Sequence, residues 1–179
     1  MKNKAVLKPV TDLYEVRFDG GILQRGFWLY VWEVTRPQGV ILFYVGRTGD
    51  SSSTNAQSPF NRMGQHLGFA KNSSMLRRHL VSHKVELERC SFRLVAVGPI
   101  HEESIADTRY EHDARRDVVA AMEKALAEHM KAAGYEVMNT VNCRKTLDAA
   151  RFLKVRTIFA RAFPALGRPS GVAKKGESQ

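Results

Sequence analysis

Two phenols, a guanidinium and an imidazole follow one another in an order suited to chemistry: Tyr30, Tyr44, Arg62 and His66. Arginine is permanently cationic and carries a planar fork of donors, so Arg62 suits stabilising charge on an anionic group. Histidine titrates near neutrality, whereas a free phenol does so near ~10 and needs adjacent positive charge to act as a base. Tyr30 and His66 are therefore alternative proton acceptors. Arg62 and His66 stand four positions apart, which on a helix puts them on one flank, within reach of the same ligand.

The tyrosines sit in segments built for strands. Residues 27–34 and 40–47 are rich in aromatic and β-branched side chains, and Thr35-Arg36-Pro37-Gln38-Gly39 between them has turn composition. The pattern predicts an antiparallel hairpin. Symmetry about Pro37 sets Tyr30 opposite Tyr44 with both rings on one face; a slip of one residue would part them. An ordinary cross-strand aromatic pair fits the same pattern. Ser58-Pro59 reads as an N-cap followed by proline at the first helical position, with Phe60, Met63, Leu67 and Ala70 on the apolar side. The polar stretch 49–57 before it is a loop, and a second short helix runs from Ser74 to about His83. A third strand spans 92–97 and stops at Gly98-Pro99. A long helix is expected from about Glu102 to Ala133, with Val119, Met122, Leu126, Met130 and Ala133 as its buried stripe. Glu123 lies at the edge of that stripe, and Glu128 points away from it. Gly134 ends the helix, an extended exit covers 135–139, and a last helix runs from Thr146 to about Phe163.

The chain has 179 residues, 44% of them hydrophobic, enough for one full core with length left for tails. No apolar run reaches membrane-spanning length, and the start lacks the apolar stretch of a secretory signal. Cys90 and Cys143 lack metal-site spacing, and a reduced cytoplasmic setting with both as packing residues is expected. The formal net charge is +10, concentrated in 144–179, where nine Lys or Arg face Asp148 and Glu177. Such a surface suits a polyanionic partner, because phosphate contacts release counterions. His79 and His83 also stand four apart, but no cysteine or acidic residue lies at a spacing that would complete a zinc site.

Taken in order, these residues resemble the GIY-YIG endonuclease family. Trp28-Leu29-Tyr30 corresponds to the first motif, with its tyrosine kept and its glycine and isoleucine replaced. Tyr44-Val45-Gly46, followed by Arg47 and Thr48, corresponds to the second. The helix arginine with a histidine four residues on matches Arg62 and His66, the metal-binding glutamate matches Glu123, and the following asparagine matches Asn139 best and Asn142 second. The resemblance spans residues 27–142. Eighteen positions separate Tyr44 from Arg62, more than in compact members, so the serine-rich loop looks like an insertion.

The resemblance implies an α/β (α+β) fold, with a small central antiparallel sheet of about three strands flanked by helices. Around the expected nuclease domain, 27–142, the residues predict an N-terminal extension, 1–26, in which 13–18 could add a strand; a basic amphipathic helix, 143–163; and a disordered basic tail, 164–179. The resemblance also implies hydrolysis of DNA phosphodiester bonds with Mg²⁺ or Mn²⁺ held by Glu123, an ion that suits one carboxylate plus water and phosphate oxygens. Arg62 would stabilise phosphoryl charge, and Tyr30 or His66 would be the general base. Tyr44 would orient water or phosphate, and Asn139 would hold the site together. Arg47, Arg144, Lys145, Arg151 and Lys154 are the expected DNA contacts. The competing expectation is a noncatalytic nucleic-acid-binding protein on the same fold. DNA preference, biological role and the number of subunits stay open.

Overall fold

A computed structural model describes residues 13–49, 55–69, 75–102 and 108–168. Strands β1 (Gly26–Thr35), β2 (Ile41–Arg47) and β3 (Ser91–Glu102) form one antiparallel sheet in the order β2-β1-β3. Helices α1 (Pro59–Leu67), α2 (Met75–Ser82), α3 (Arg109–Ala132) and α4 (Ala149–Phe159) flank it, giving the expected α+β fold. No helix among the described residues is long and apolar enough to cross a membrane.

β1 is buried along nearly its whole length because both sheet faces are covered. On one face Tyr30, Trp32, Val34, Leu42 and Tyr44 pack with Leu76 and Leu80 of α2, and Met63 and Leu67 of α1 join them. On the other, Leu29, Val31, Phe43 and Val45 meet Val119, Met122, Leu126 and Met130 of α3, together with Phe152, Val155 and Phe159 of α4. The expected stripe of α3 is therefore its buried face, with Ala133 packed at the margin.

The hairpin turns one residue later than its symmetry about Pro37 suggests. Arg36 and Val40 close the turn, and Thr35 pairs with Ile41. Tyr30 is consequently opposite Gly46, and Trp32 opposite Tyr44. A two-residue slip preserves parity, so the tyrosines still share a face, as diagonal neighbours. α1 begins as expected, with Ser58 accepting from the Asn61 N–H and Pro59 in the first turn. Its stripe is only half buried: Phe60 lies against Phe18, with ring centroids 4.9 Å apart, and the deeply buried side chain is His66.

Several boundaries differ. Residues 13–19 form no strand, and Asp19 instead caps a 3-10 turn over Gly20–Leu23. β3 does not stop at Gly98-Pro99. It continues to Glu102 through a bulge, between the Leu29–Val97 and Phe27–His101 pairs. Gly98 makes this continuation feasible, because a Cβ there would lie 2.8 Å from the Trp28 indole. α3 starts at Arg109, not near Glu102, with Thr108 and Glu111 capping it reciprocally. α4 starts after Asp148, whose carboxylate accepts from the Arg151 N–H, and it ends at Phe159. Beyond it, Pro164–Gly167 form a 3-10 turn instead of loose tail, and Leu166 is 3% exposed against the α4 core. The loop at 50–54, Ala70, Ser74 and the tail beyond 168 lie outside the described residues.

Leu166→Ala is expected to cost about 2–5 kcal/mol, as for a buried leucine elsewhere. Denaturant unfolding measures this, and a tail residue would change stability by no more than about 0.5 kcal/mol.

Candidate active site at the end of the central hairpin

The backbone brings Tyr30 across from a residue with no side chain. A Cβ on Gly46 would lie 2.4 Å from Tyr30 Cε2 and 2.7 Å from its hydroxyl oxygen. The phenol thus lies flat over β2, occupying the space that any larger residue would fill. This gives the glycine of the Tyr-x-Gly motif a physical role: it lets a side chain from the middle strand cross its neighbour.

The Tyr30 hydroxyl is 2.5 Å from His66 Nε2. Arg62, one turn earlier on α1, acts on the same phenol through its charge, and its Nη1 donates to Gln65 Oε1 at 2.8 Å. The two α1 residues thus converge on one phenol, as their spacing predicts. Tyr44 lies beside them, its ring 5.3 Å from that of His66 and 5.6 Å from that of His79.

Burial governs the protonation of this group. It lowers the His66 pKa to about 3, and the Arg62 charge adds to the effect, so the imidazole is neutral at ordinary pH. Burial also raises the pKa of Tyr30 well above the usual phenol range, outweighing the positive charge of Arg62 and Arg47. Tyr44 is raised the same way, first by burial and then by Tyr30. With both groups neutral, the Tyr30 O–H can donate to His66 Nε2 in the tautomer that carries the proton on Nδ1, an atom buried with no hydrogen-bond partner among the described residues. Tyr30 is not a ready base on its own, but a neutral acceptor already touches it.

Glu123 reaches the same end of β2 from α3, on the opposite sheet face. Its Oε2 accepts from Arg47 Nε at 3.0 Å, and the side chains are only 15% and 19% exposed, respectively. Burial raises the carboxyl pKa to about 7, against the opposing pull of Arg47 and then Arg62. Tyr30 senses the charges of Arg62, Glu123 and Arg47, so the groups from both faces form one electrostatic cluster. Arg47, expected as a DNA contact, is engaged inside the free protein, and it also donates to the Gly49 carbonyl.

Asn139 is 5% exposed and uses its whole amide on β2. Oδ1 accepts from the Val45 N–H at 3.0 Å, and Nδ2 donates to the Val45 carbonyl at 2.8 Å. It acts as a surrogate strand residue that fixes Tyr44-Val45-Gly46, whereas Asn142 is exposed. Thr48 does similar work at the strand end, its hydroxyl donating to the Gly26 carbonyl and accepting from the Trp28 N–H. Trp28, where the resemblance calls for glycine, packs on Gly98 of β3.

The other expected DNA contacts lie elsewhere. Lys145 is 2.7 Å from Asp117, and Arg151 contacts His101 at 2.7 Å and Asp148 at 3.5 Å. Arg144 and Lys154 are exposed. A groove of about 550 Å³ between β3 and α4 is lined by Arg151, Lys154, Ile100 and Ile158, and it contains none of the hairpin cluster. Among the described residues no three His, Cys, Asp or Glu side chains gather as a metal site. His79 and His83 are joined through the His79 carbonyl to His83 Nδ1. The contact of His79 with Tyr44 was hidden in the sequence, because nothing in the spacing of α2 links it to β2. No family model, curated protein or solved structure matches this chain.

Gly46→Ala is expected to expel Tyr30 from its position at a cost of about 1–3 kcal/mol. Denaturant unfolding reads the stability, and the Tyr30 ring resonances in NMR read the displacement. A second outcome concerns acid. The folded pKa of His66, about 3, lies below its ordinary 6.5, so the unfolded chain takes up the proton first. Its contribution is complete above pH ~6.5 and is lost as pH falls toward ~3, amounting to roughly 2 kcal/mol between pH 7 and 5. His66→Gln should flatten that part of the stability profile.

Proposed function

We propose that this chain is a divalent-cation-dependent endonuclease of GIY-YIG type, hydrolysing phosphodiester bonds in DNA. The observation that carries the reading is the meeting, at the end of β2, of the Tyr30–His66 hydrogen bond, Arg62 and the Glu123 carboxylate. Glu123 fits a Mg²⁺ or Mn²⁺ ligand: it is an oxygen donor at the margin of the core, and these ions accept a single carboxylate completed by water and phosphate oxygens. Bound there, the cation would supply charge to the nonbridging and departing 3′ oxygens.

The remaining steps belong to the chain. Water attacks phosphorus as the P–O3′ bond breaks, giving its proton to the Tyr30 oxygen while the Tyr30 proton passes to His66 Nε2, and the departing 3′ oxygen takes a proton from solvent. The two candidate bases thus act in series. Phosphate beside the site favours the imidazolium that forms, offsetting the burial that otherwise disfavours it. Arg62 holds the developing phosphoryl charge. Tyr44 orients the phosphate or water, and Asn139 positions β2. The exposed Arg144, Lys154 and neighbouring basic residues attract the duplex through its phosphates.

The Arg47–Glu123 ion pair favours a second reading, a noncatalytic DNA-binding protein whose carboxylate is permanently neutralised. Incubation of the pure protein with plasmid and Mg²⁺ or Mn²⁺ separates the two. The nuclease reading expects nicking that stops with chelator and falls roughly 10²-fold or more in Glu123→Gln and in Tyr30→Phe. Equal nicking by Glu123→Gln rejects the assigned site. Salt-dependent DNA binding without cleavage of plasmid, linear or branched DNA supports the binding protein.

A further inference from the structure

The Arg47 guanidinium occupies Oε2 of Glu123, one of the two oxygens that a cation could use. Nε holds the carboxylate at 3.0 Å, and a second N–H of the same group holds the Gly49 carbonyl. Gly49 is itself fixed: its φ is +73°, and a Cβ there would meet the Phe27 ring at 2.4 Å. Arg47 can therefore leave the carboxylate while keeping its backbone anchor. The Arg62 charge also acts on this carboxylate. A divalent ion bound beside the Arg47 guanidinium would meet strong like-charge repulsion. The guanidinium and the ion are alternative partners for Glu123.

We propose that Arg47 is an internal placeholder for the divalent cation: it neutralises Glu123 in the free protein, yields the carboxylate when the ion arrives, and turns its guanidinium to the DNA phosphate. The inference rests on the nuclease reading and assigns Arg47 as a positioning residue acting through Glu123. Cation and DNA then bind cooperatively, because the phosphate supplies the negative charge that Arg47 loses, and the coupling is reciprocal. Without DNA, the ion binds weakly.

The test is Mn²⁺ binding to the full-length protein without DNA, followed by electron paramagnetic resonance at pH 8.5 under argon. Arg47→Met should bind Mn²⁺ about tenfold more tightly than the unaltered protein, since a like charge beside the ion is gone. Arg47→Lys should restore weak binding, and adding Glu123→Gln to Arg47→Met should abolish the gain. Glu123-dependent binding that is unchanged or weaker in Arg47→Met overturns the placeholder while leaving the nuclease site standing. Mn²⁺ binding indifferent to Glu123→Gln in both backgrounds overturns the metal assignment itself. The unaltered protein gives a second measurement should Arg47→Met fold poorly. Excess Mg²⁺ should shift the Arg47 Nε–Hε resonance, identified by its loss in Arg47→Lys, and a resonance that does not move overturns the proposal.

Discussion

The structure depends on one close approach, the Tyr30 ring lying against the bare backbone of Gly46. A sheet normally separates what its two faces carry, because alternating side chains project away from one another. Here the missing side chain on β2 lets a residue of the middle strand extend over the outer one. Groups rooted on both faces act on this phenol: Arg62 from α1, Arg47 from β2 and Glu123 from α3 through their charges, and His66 of α1 through its hydrogen bond.

The cluster is held by commitments that leave little slack. Tyr30 and His66 are each 1% exposed and bonded to each other, and Glu123 is bonded to Arg47. Burying polar groups is costly unless they find partners, and here Tyr30 pairs with His66 and Arg47 with Glu123, while His66 Nδ1 and Arg62 Nε are buried with no hydrogen bond among the described residues. Under the proposed function this shapes the free protein. The phenol stays protonated, the imidazole neutral and the carboxyl only weakly acidic, so the reactive charges develop when substrate and cation enter.

Much of the arrangement was legible because periodicity is a local property. The parity of the hairpin survived a misplaced turn, since a two-residue slip returns every side chain to its face. Ser58-Pro59 announced α1, and the stripe through Val119, Met122 and Leu126 announced α3. The failures are where tertiary contact outweighed local preference. Gly98-Pro99 reads as a stop in isolation, but Trp28 packs on Gly98 and the strand continues around a bulge. Pro164–Gly167 has tail composition, yet Leu166 finds a place beside Phe163. The ion pair of Arg47, expected as a DNA contact, with Glu123 was not legible because the two are 76 positions apart.

The amide of Asn139 has a further implication for how the molecule can associate. Outer strands ordinarily advertise unsatisfied backbone groups, and a foreign strand can zip onto them. At Val45 both groups are already taken, and the exit segment bonds Phe43 as well. The rim carrying the phenols is thereby closed to strand addition along that stretch.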